Sequence, residues 1–462
     1  MQSVGARLRD GARAGSRSRF RVPRVVGAVR EGNGLKRQAC TALLLLGAAG
    51  AAEAQTTASR PPSFGAAPRA NPGAATRQID IRATVDVGYD TNVFGVGRGF
   101  VGAVGRELDE FSVTPSLQLN ILQPVGRHSA YINGQIGYDF FARNDQLNRE
   151  RINLQAGYNL ALPLRCDGNL NSSYLRARVN AGDIFALNPD PAFGRNNTFV
   201  VRSVGGRVNC NRAIGFSPSV GYTRSEIRNS IPLFQLNDLD SDTYDASIGY
   251  ARPSLGRVSI YGSYARTGFL RRNRFGFPAF PGDALDGVEV YTAGGRFERE
   301  IGSRISGAIA AGYSWVNPRN VFADPFTGSN YSVSLALRPS DRLTVDLLAS
   351  RAIDVQNTIF ATFAVTDVYA LNGTYRVTRP LALNFGSSYQ QRDFRGNART
   401  PDGALFINSD SFIRAYGGFS YDLNRQLRLT GLVSQSRRNS NVNAFDFRNT
   451  SVNLGISYAL SR

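Results

Sequence analysis

Few residues in this chain have types and spacings suited to chemistry. The single histidine, His128, lies between Arg127 and Ser129 in an expected short turn. A hydrolase needs a Ser–His pair within hydrogen-bond reach on one strand face. That placement does not supply one, so His128 reads as a solvated turn residue. Asp238, Asp240 and Asp242 alternate in an expected long connection. Calcium takes such oxygens, but Thr243 and Gly249 stand where an EF-hand loop needs Gly and Glu, and the run reads as solvated. Arg271, Arg272 and Arg274 cluster in another long connection. Folded inward they would form a positive constriction that concentrates anions; facing outward they would grip phosphates bidentately. Asp183, Asp190 and Arg195 offer a weaker version of the same lining.

Composition excludes several function classes. With one His, one Met and one Trp among 462 residues, a His-rich metal site or a two-imidazole device is ruled out. The run Ala39 to Ala52 is apolar, follows Lys36-Arg37 and precedes Ala52-Glu53-Ala54, the anatomy of a secretory signal peptide cleaved after Ala54. No lipobox precedes Cys40, which argues against a lipid anchor. Residues 1–54 are therefore expected to be a signal peptide with an over-long basic extension, and residues 55–77 a disordered periplasmic linker. Beyond residue 54, 44 basic and 32 acidic residues remain, a net charge of +12. Export makes nucleic acid a poor partner for that charge. An anionic solute, polysaccharide or lipopolysaccharide surface suits it better. Cys40 leaves with the signal peptide, so Cys166 and Cys210 form an even pair in an oxidising compartment.

The elements that must position these groups repeat one pattern from residue 78 onward. In Gln78 to Asp90, Ile79, Ile81, Ala83, Val85, Val87 and Tyr89 alternate with Asp80, Arg82, Thr84, Asp86, Gly88 and Asp90. Period two over a dozen residues means a strand with one apolar and one polar face. The same alternation recurs at Phe111 to Ile121, Ile152 to Leu160 and Val452 to Leu460, and eighteen such strands can be placed along the chain. Short connections (such as Gln123 to His128 and Pro253 to Gly256) alternate with long ones (91 to 109, 183 to 197, 228 to 242, 268 to 286, 317 to 328, 393 to 409, 437 to 447). That is an up-and-down meander. The strands run about ten to thirteen residues, which suits roughly 25 Å of apolar height at a steep tilt. No stretch has 18 uninterrupted apolar residues, so a membrane-spanning helix is ruled out.

Aromatic residues recur near strand ends at Tyr89, Tyr138, Tyr222, Tyr250, Tyr264, Tyr313, Trp315, Tyr389, Tyr421 and Tyr458. Rings at both rims are the girdles of a membrane barrel. The expected fold class is all-β: a transmembrane antiparallel β-barrel over 78–462 with 16–18 strands, short periplasmic turns and long extracellular loops. Sixteen to eighteen strands leave an aqueous channel unless loops fill it. The uncertainty in number comes from parity slips around Leu175 and Tyr291, which are assigned to bulges. A plug domain is excluded by the shortness of the linker. Cys166 and Cys210 fall at the same periplasmic edge of neighbouring strands, about 4.5 to 5.5 Å apart at Cα, so a disulfide is expected.

The heptad Gly88-Tyr89-Asp90-Thr91-Asn92-Val93-Phe94 resembles a first-strand signature of the outer-membrane β-barrel porin family (β-barrel porin 2-like) found beside exopolysaccharide export genes. The resemblance implies an outer-membrane barrel tied to polysaccharide secretion and carries over no catalytic residues. That family's terminal aromatic is absent here, and Tyr458 stands in for it. The expectation is a non-enzymatic, cofactor-free passive channel in the outer membrane of a Gram-negative bacterium. Its solutes would be hydrophilic and anionic, or it would export exopolysaccharide. The alternative is a non-conducting docking barrel. Expected partners are outer-membrane lipid, lipopolysaccharide and polysaccharide export machinery, with no nucleic acid. The length of the basic extension further implies that translation begins near Leu35. N-terminal sequencing of the unprocessed protein should start there, and a peptide spanning Arg7 to Arg30 would refute it.

Overall fold

The computed structural model describes residues 77–95, 97, 108–178, 197–210, 214–232, 234–273, 285–321, 323–355, 361–395, 408–441 and 445–460. The expected signal peptide, most of the expected linker, and Asp183, Asp190, Arg195 and Arg274 lie outside the described residues. Eighteen strands are present: β1 Gln78–Asp90, β2 Glu110–Val125, β3 His128–Phe141, β4 Arg149–Leu162, β5 Cys166–Arg178, β6 Thr198–Cys210, β7 Gly215–Asn229, β8 Leu239–Arg252 and β9 Gly256–Asn273. They continue as β10 Leu285–Ile301, β11 Ile305–Pro318, β12 Phe326–Ser340, β13 Leu343–Asp354, β14 Phe363–Arg376, β15 Leu381–Arg395, β16 Ser409–Asp422, β17 Leu427–Ser440 and β18 Phe447–Ala459.

Each strand pairs antiparallel with the next, and β18 pairs with β1, with Val85 opposite Ile456 and Tyr89 opposite Val452. The sheet is closed and has no edge. Short connections such as Gly126-Arg127, Pro253 to Leu255 and Asp341-Arg342 gather at the end that holds Gln78 and Ala459. The longer ones gather at the opposite end, as the meander requires.

The two faces separate by chemistry. On β1, Val85 and Val87 are exposed on the outside, whereas the inward Thr84 is 9% exposed. Ile132, Val220, Ile248, Ile260, Ile309 and Leu454 are likewise exposed on the outer face. So continuous an apolar surface is at home in hydrocarbon. The strands run from 12 to 18 residues, longer than the alternation suggested, because hairpins stay paired above the apolar band. On β7 the outward row above Tyr222 is Arg224, Glu226 and Arg228, still within the ladder.

The expected bulges at Leu175 and Tyr291 are absent. Register is unbroken across both positions, and shifts occur instead at Leu285/Gly287 and Leu337/Ser340. Parity slipped for another reason: apolar side chains turn inward near the extracellular mouth. Leu175 and Ala177 pack with Phe199, Val201 and Ile227, and Val288 and Val290 pack with Val316 and Phe363.

The assignment of faces predicts asymmetric tolerance. Ile248→Arg places a charge in the outer band and should cost roughly 2–4 kcal/mol, whereas Ser247→Arg, on the inner face of the same strand, should be near neutral. Urea unfolding in lipid vesicles, followed by heat-modifiable electrophoresis, measures both.

Candidate functional site

The candidate site is the inner wall, and its construction starts at the seam between β1 and β18. There Asn449 is a hub. Its Oδ1 accepts from Thr91 Oγ1 at 3.2 Å and from the Asn92 amide at 3.0 Å, while its Nδ2 donates to Asp90 at 2.9 Å. The Thr450 amide donates to Thr91 Oγ1 at 2.9 Å, and Asn92 Nδ2 reaches the Arg448 carbonyl at 3.3 Å. The heptad therefore closes the barrel. Its last residue, Phe94, is fully buried against Leu147, with Val93, Leu108 and Phe141 around them. A second staple lies nearby: Glu110, 1% exposed, accepts from the Arg143 and Asn144 amides at 3.0 and 2.9 Å and so holds the β3–β4 connection.

From this seam an arc of β16–β18 and β1–β5 encloses a cavity of about 180 Å³. Asp86, Asp90, Asp139, Arg151, Arg178 and Arg414 bring its charge, and Ser, Thr and Asn side chains fill the spaces between them. Asp139 is held by Arg151 at 3.0 Å and by Thr114 at 2.8 Å. On the facing wall, toward the short turns, a cavity of about 730 Å³ is lined by Arg257, Glu298, Glu300, Ser334, Asp346 and Asn372, among others. Both walls carry acids beside arginines. On the wall of the larger cavity the Tyr261 hydroxyl lies over Gly294 and Gly312, where a Cβ would come within 2.7 and 2.9 Å of it, and donates to Asn330 at 3.1 Å.

The residues singled out in the sequence divide. Arg271 is exposed and lies 3.9 Å from Asp238. Arg272 does not face a passage. It is 6% exposed, stacks on Phe269, and donates to the Leu236 and Ala361 carbonyls at 2.7 and 2.9 Å and to Asn237 at 2.6 Å. It ties two connections together inside the mouth. Asp238 is buried and accepts from the Asn229 amide at 2.7 Å, and burial raises its carboxyl above the ordinary value. Asp240 and Asp242 lie on β8 rather than in a loop; Asp240 pairs with Arg228 at 2.6 Å and Tyr222 donates to Asp242 at 2.7 Å. No group of acids, His and Cys able to hold a metal occurs among the described residues. His128 opens β3 rather than sitting in the turn, and its Nδ1 accepts from the Ala161 amide at 3.1 Å. Cys166 and Cys210 stand opposite each other on β5 and β6 and are disulfide-bonded.

The aromatic belt is broader than the sequence suggested. Tyr222, Tyr244, Tyr264, Tyr291 and Trp315 stand in one cross-strand row. Tyr89 packs on Phe111, Tyr250 on Phe216, Tyr313 on Trp315 and Tyr389 on Tyr369, while Tyr138, Tyr421 and Tyr458 are exposed on the outer face. Tyr244, Tyr291 and Tyr369 belong to the belt as well, and outward parity is the signal that places them there. Above the row, Arg224, Asp242, Arg266 and Glu289 alternate in sign from strand to strand. The charged cavity in the arc was also missed: Asp86, Asp90, Asp139, Arg151 and Arg414 lie on inner polar faces, but Arg178 shares its parity with Leu170 and Tyr174 and reaches the cavity from the end of β5.

Residues 264–460 match the family model described as "Putative beta-barrel porin 2". Among solved structures, the chain is similar to Pseudomonas aeruginosa OccK2 (OpdF) in complex with glucuronate, at 12% identity over 83% of this chain and 99% of that one, with a TM-score of 0.42. It is also similar to the siderophore receptor PirA from Acinetobacter baumannii, at 7% identity over 84% and 81%, with a TM-score of 0.42. Acinetobacter baumannii OccAB2 matches at 8% identity over 83% and 98%, again with a TM-score of 0.42. No curated protein matches this sequence.

The hub at the seam generates a prediction. Asn449→Ala removes three hydrogen bonds at once and should destabilise the barrel by about 1–3 kcal/mol. A lower temperature for loss of the compact electrophoretic form measures this, and an unchanged temperature would show that the seam does not depend on Asn449.

Proposed function

We propose that this porin-like outer-membrane barrel is a passive channel for hydrophilic solutes, anionic ones among them. The observation that supports the reading is the inner wall itself. Ser306, Ser334, Asp346 and Asn372 line an open recess on the inner face, while the outer face of the same strands presents Ile305, Ile309 and Tyr369. A wall built this way wets one side and not the other. Transport would need no covalent step, since alternating acids and arginines screen a charged solute along its path. Export of exopolysaccharide, with the corresponding machinery as partner, is the form of this function that the family resemblance favours. On the outside, the row Arg224, Asp242, Arg266 and Glu289, just above the tyrosines, suits lipopolysaccharide phosphates and the cations that bridge them.

A second reading, a non-conducting docking barrel, is favoured by the packing at the mouth. Phe94, Leu147, Phe269 and Phe363 are fully buried there, and Arg272 ties the connections around them. Planar-bilayer recording separates the two. Stable open steps with a mild anion preference are expected, from the arginine excess of the chain. Silence would favour the docking barrel, and clear cation selectivity would show that the arginines of the inner wall do not set the selectivity.

A further inference from the structure

We propose that the cavity between the seam and β5 is a binding site for a carboxylated sugar, a uronate or its residue in a chain. Arg178 carries the argument. Its Nη1 is buried and has no hydrogen-bond partner among the described residues. Its Nη2 donates to the Val93 carbonyl at 3.3 Å, and its guanidinium lies over the Phe141 ring. The acids that act on it, Asp139 and Asp90, are already engaged by Arg151, Thr114 and Asn449, and Arg149 and Arg151 add positive charge. A buried guanidinium with a vacant donor and no carboxylate in contact among the described residues is costly. A ligand carboxylate satisfies it, because the planar fork matches that group.

The rest of the cavity suits hydroxyl groups. Asp86 lines it and accepts no hydrogen bond among the described residues. Asn453 and Ser451, opposite Gly88 and Asp90, continue the polar wall from it. An ionised carboxylate is acceptor-only, and vicinal sugar hydroxyls supply the donors it lacks. Phe412 adds an apolar surface for the C–H side of a pyranose ring. A small inorganic anion would satisfy Arg178 yet bring Asp86 no hydrogen-bond donors. A neutral sugar would satisfy Asp86 and leave Arg178 vacant. Only a ligand with one carboxylate and several hydroxyls answers both.

The inference rests on the reading of the lumen as accessible to solutes, so binding and conduction are measured separately. The full processed chain in detergent is titrated calorimetrically with galacturonate, galactose and acetate, and then recorded in planar bilayers with galacturonate added to one side. Galacturonate should bind, galactose roughly ten-fold or more weakly, and acetate should not compete. Arg178→Gln should bring galacturonate down to the galactose level, Arg178→Lys should restore part of the difference, and Asp86→Asn should weaken both sugars. All variants must keep the heat-modifiable folded form; Arg178→Lys serves as the readout if Arg178→Gln does not fold. Acetate competing as well as galacturonate, an unchanged affinity in the Arg178 variants, or no galacturonate binding in open channels would overturn the site. Binding retained in a silent barrel would overturn the channel reading and leave the site standing.

Discussion

Inside a bilayer a backbone amide finds no water, so each unpaired group costs several kcal/mol and a spanning sheet must close on itself. Everything else in this structure follows from meeting that condition between β1 and β18. Those strands come from opposite ends of the barrel sequence, and nothing local brings them together. The seam is therefore reinforced where the ladder ends, by Asn449 reaching Asp90, Thr91 and Asn92. Beyond it Phe94 is buried under the rim. A short polar motif thus does at the mouth what hydrogen-bonded pairing does along the strands.

Closure also fixes where charge can go. Along a strand in the band, an outward residue meets hydrocarbon and an inward one meets water. Arginine is nearly the only cation in this chain, and it acts by position. Inward, Arg151, Arg207 and Arg392 pair with Asp139, Asp245 and Asp410 across strands. Outward, Arg224, Arg228 and Arg351 appear at the level of the tyrosine row or above it, beside Asp240, Asp242 and Asp367. The overall excess of positive charge is thus spread over walls that also carry acids, rather than gathered in one constriction.

How much of this was legible in the sequence depends on range. Alternation is local, so the eighteen strands, their alternating connections and the facing positions of Cys166 and Cys210 could all be placed before any coordinates. What failed was whatever a side chain does away from its own strand. Leu175 and Val288 broke the alternation because connections above them make an apolar mouth, and no local pattern distinguishes that from a bulge. Arg272 resembled a pore residue because its neighbours Arg271 and Arg274 are also basic; only the fold supplies the carbonyls of Leu236 and Ala361 that occupy it. The cavity around Arg178 joins residues from both ends of the barrel sequence, a proximity that exists only once the sheet has closed.

One feature of the inner wall bears on how such barrels diversify. The Tyr261 hydroxyl reaches across two neighbouring strands because Gly294 and Gly312 leave bare backbone beneath it. A methyl at either glycine would meet the phenol and, closer still, the backbone carbonyl of Ala311 or Ala293 on the paired strand. Single changes there would disturb the β10–β11 pairing as well as the ring, so a barrel that diversifies at this level has to alter the glycines and the aromatic together.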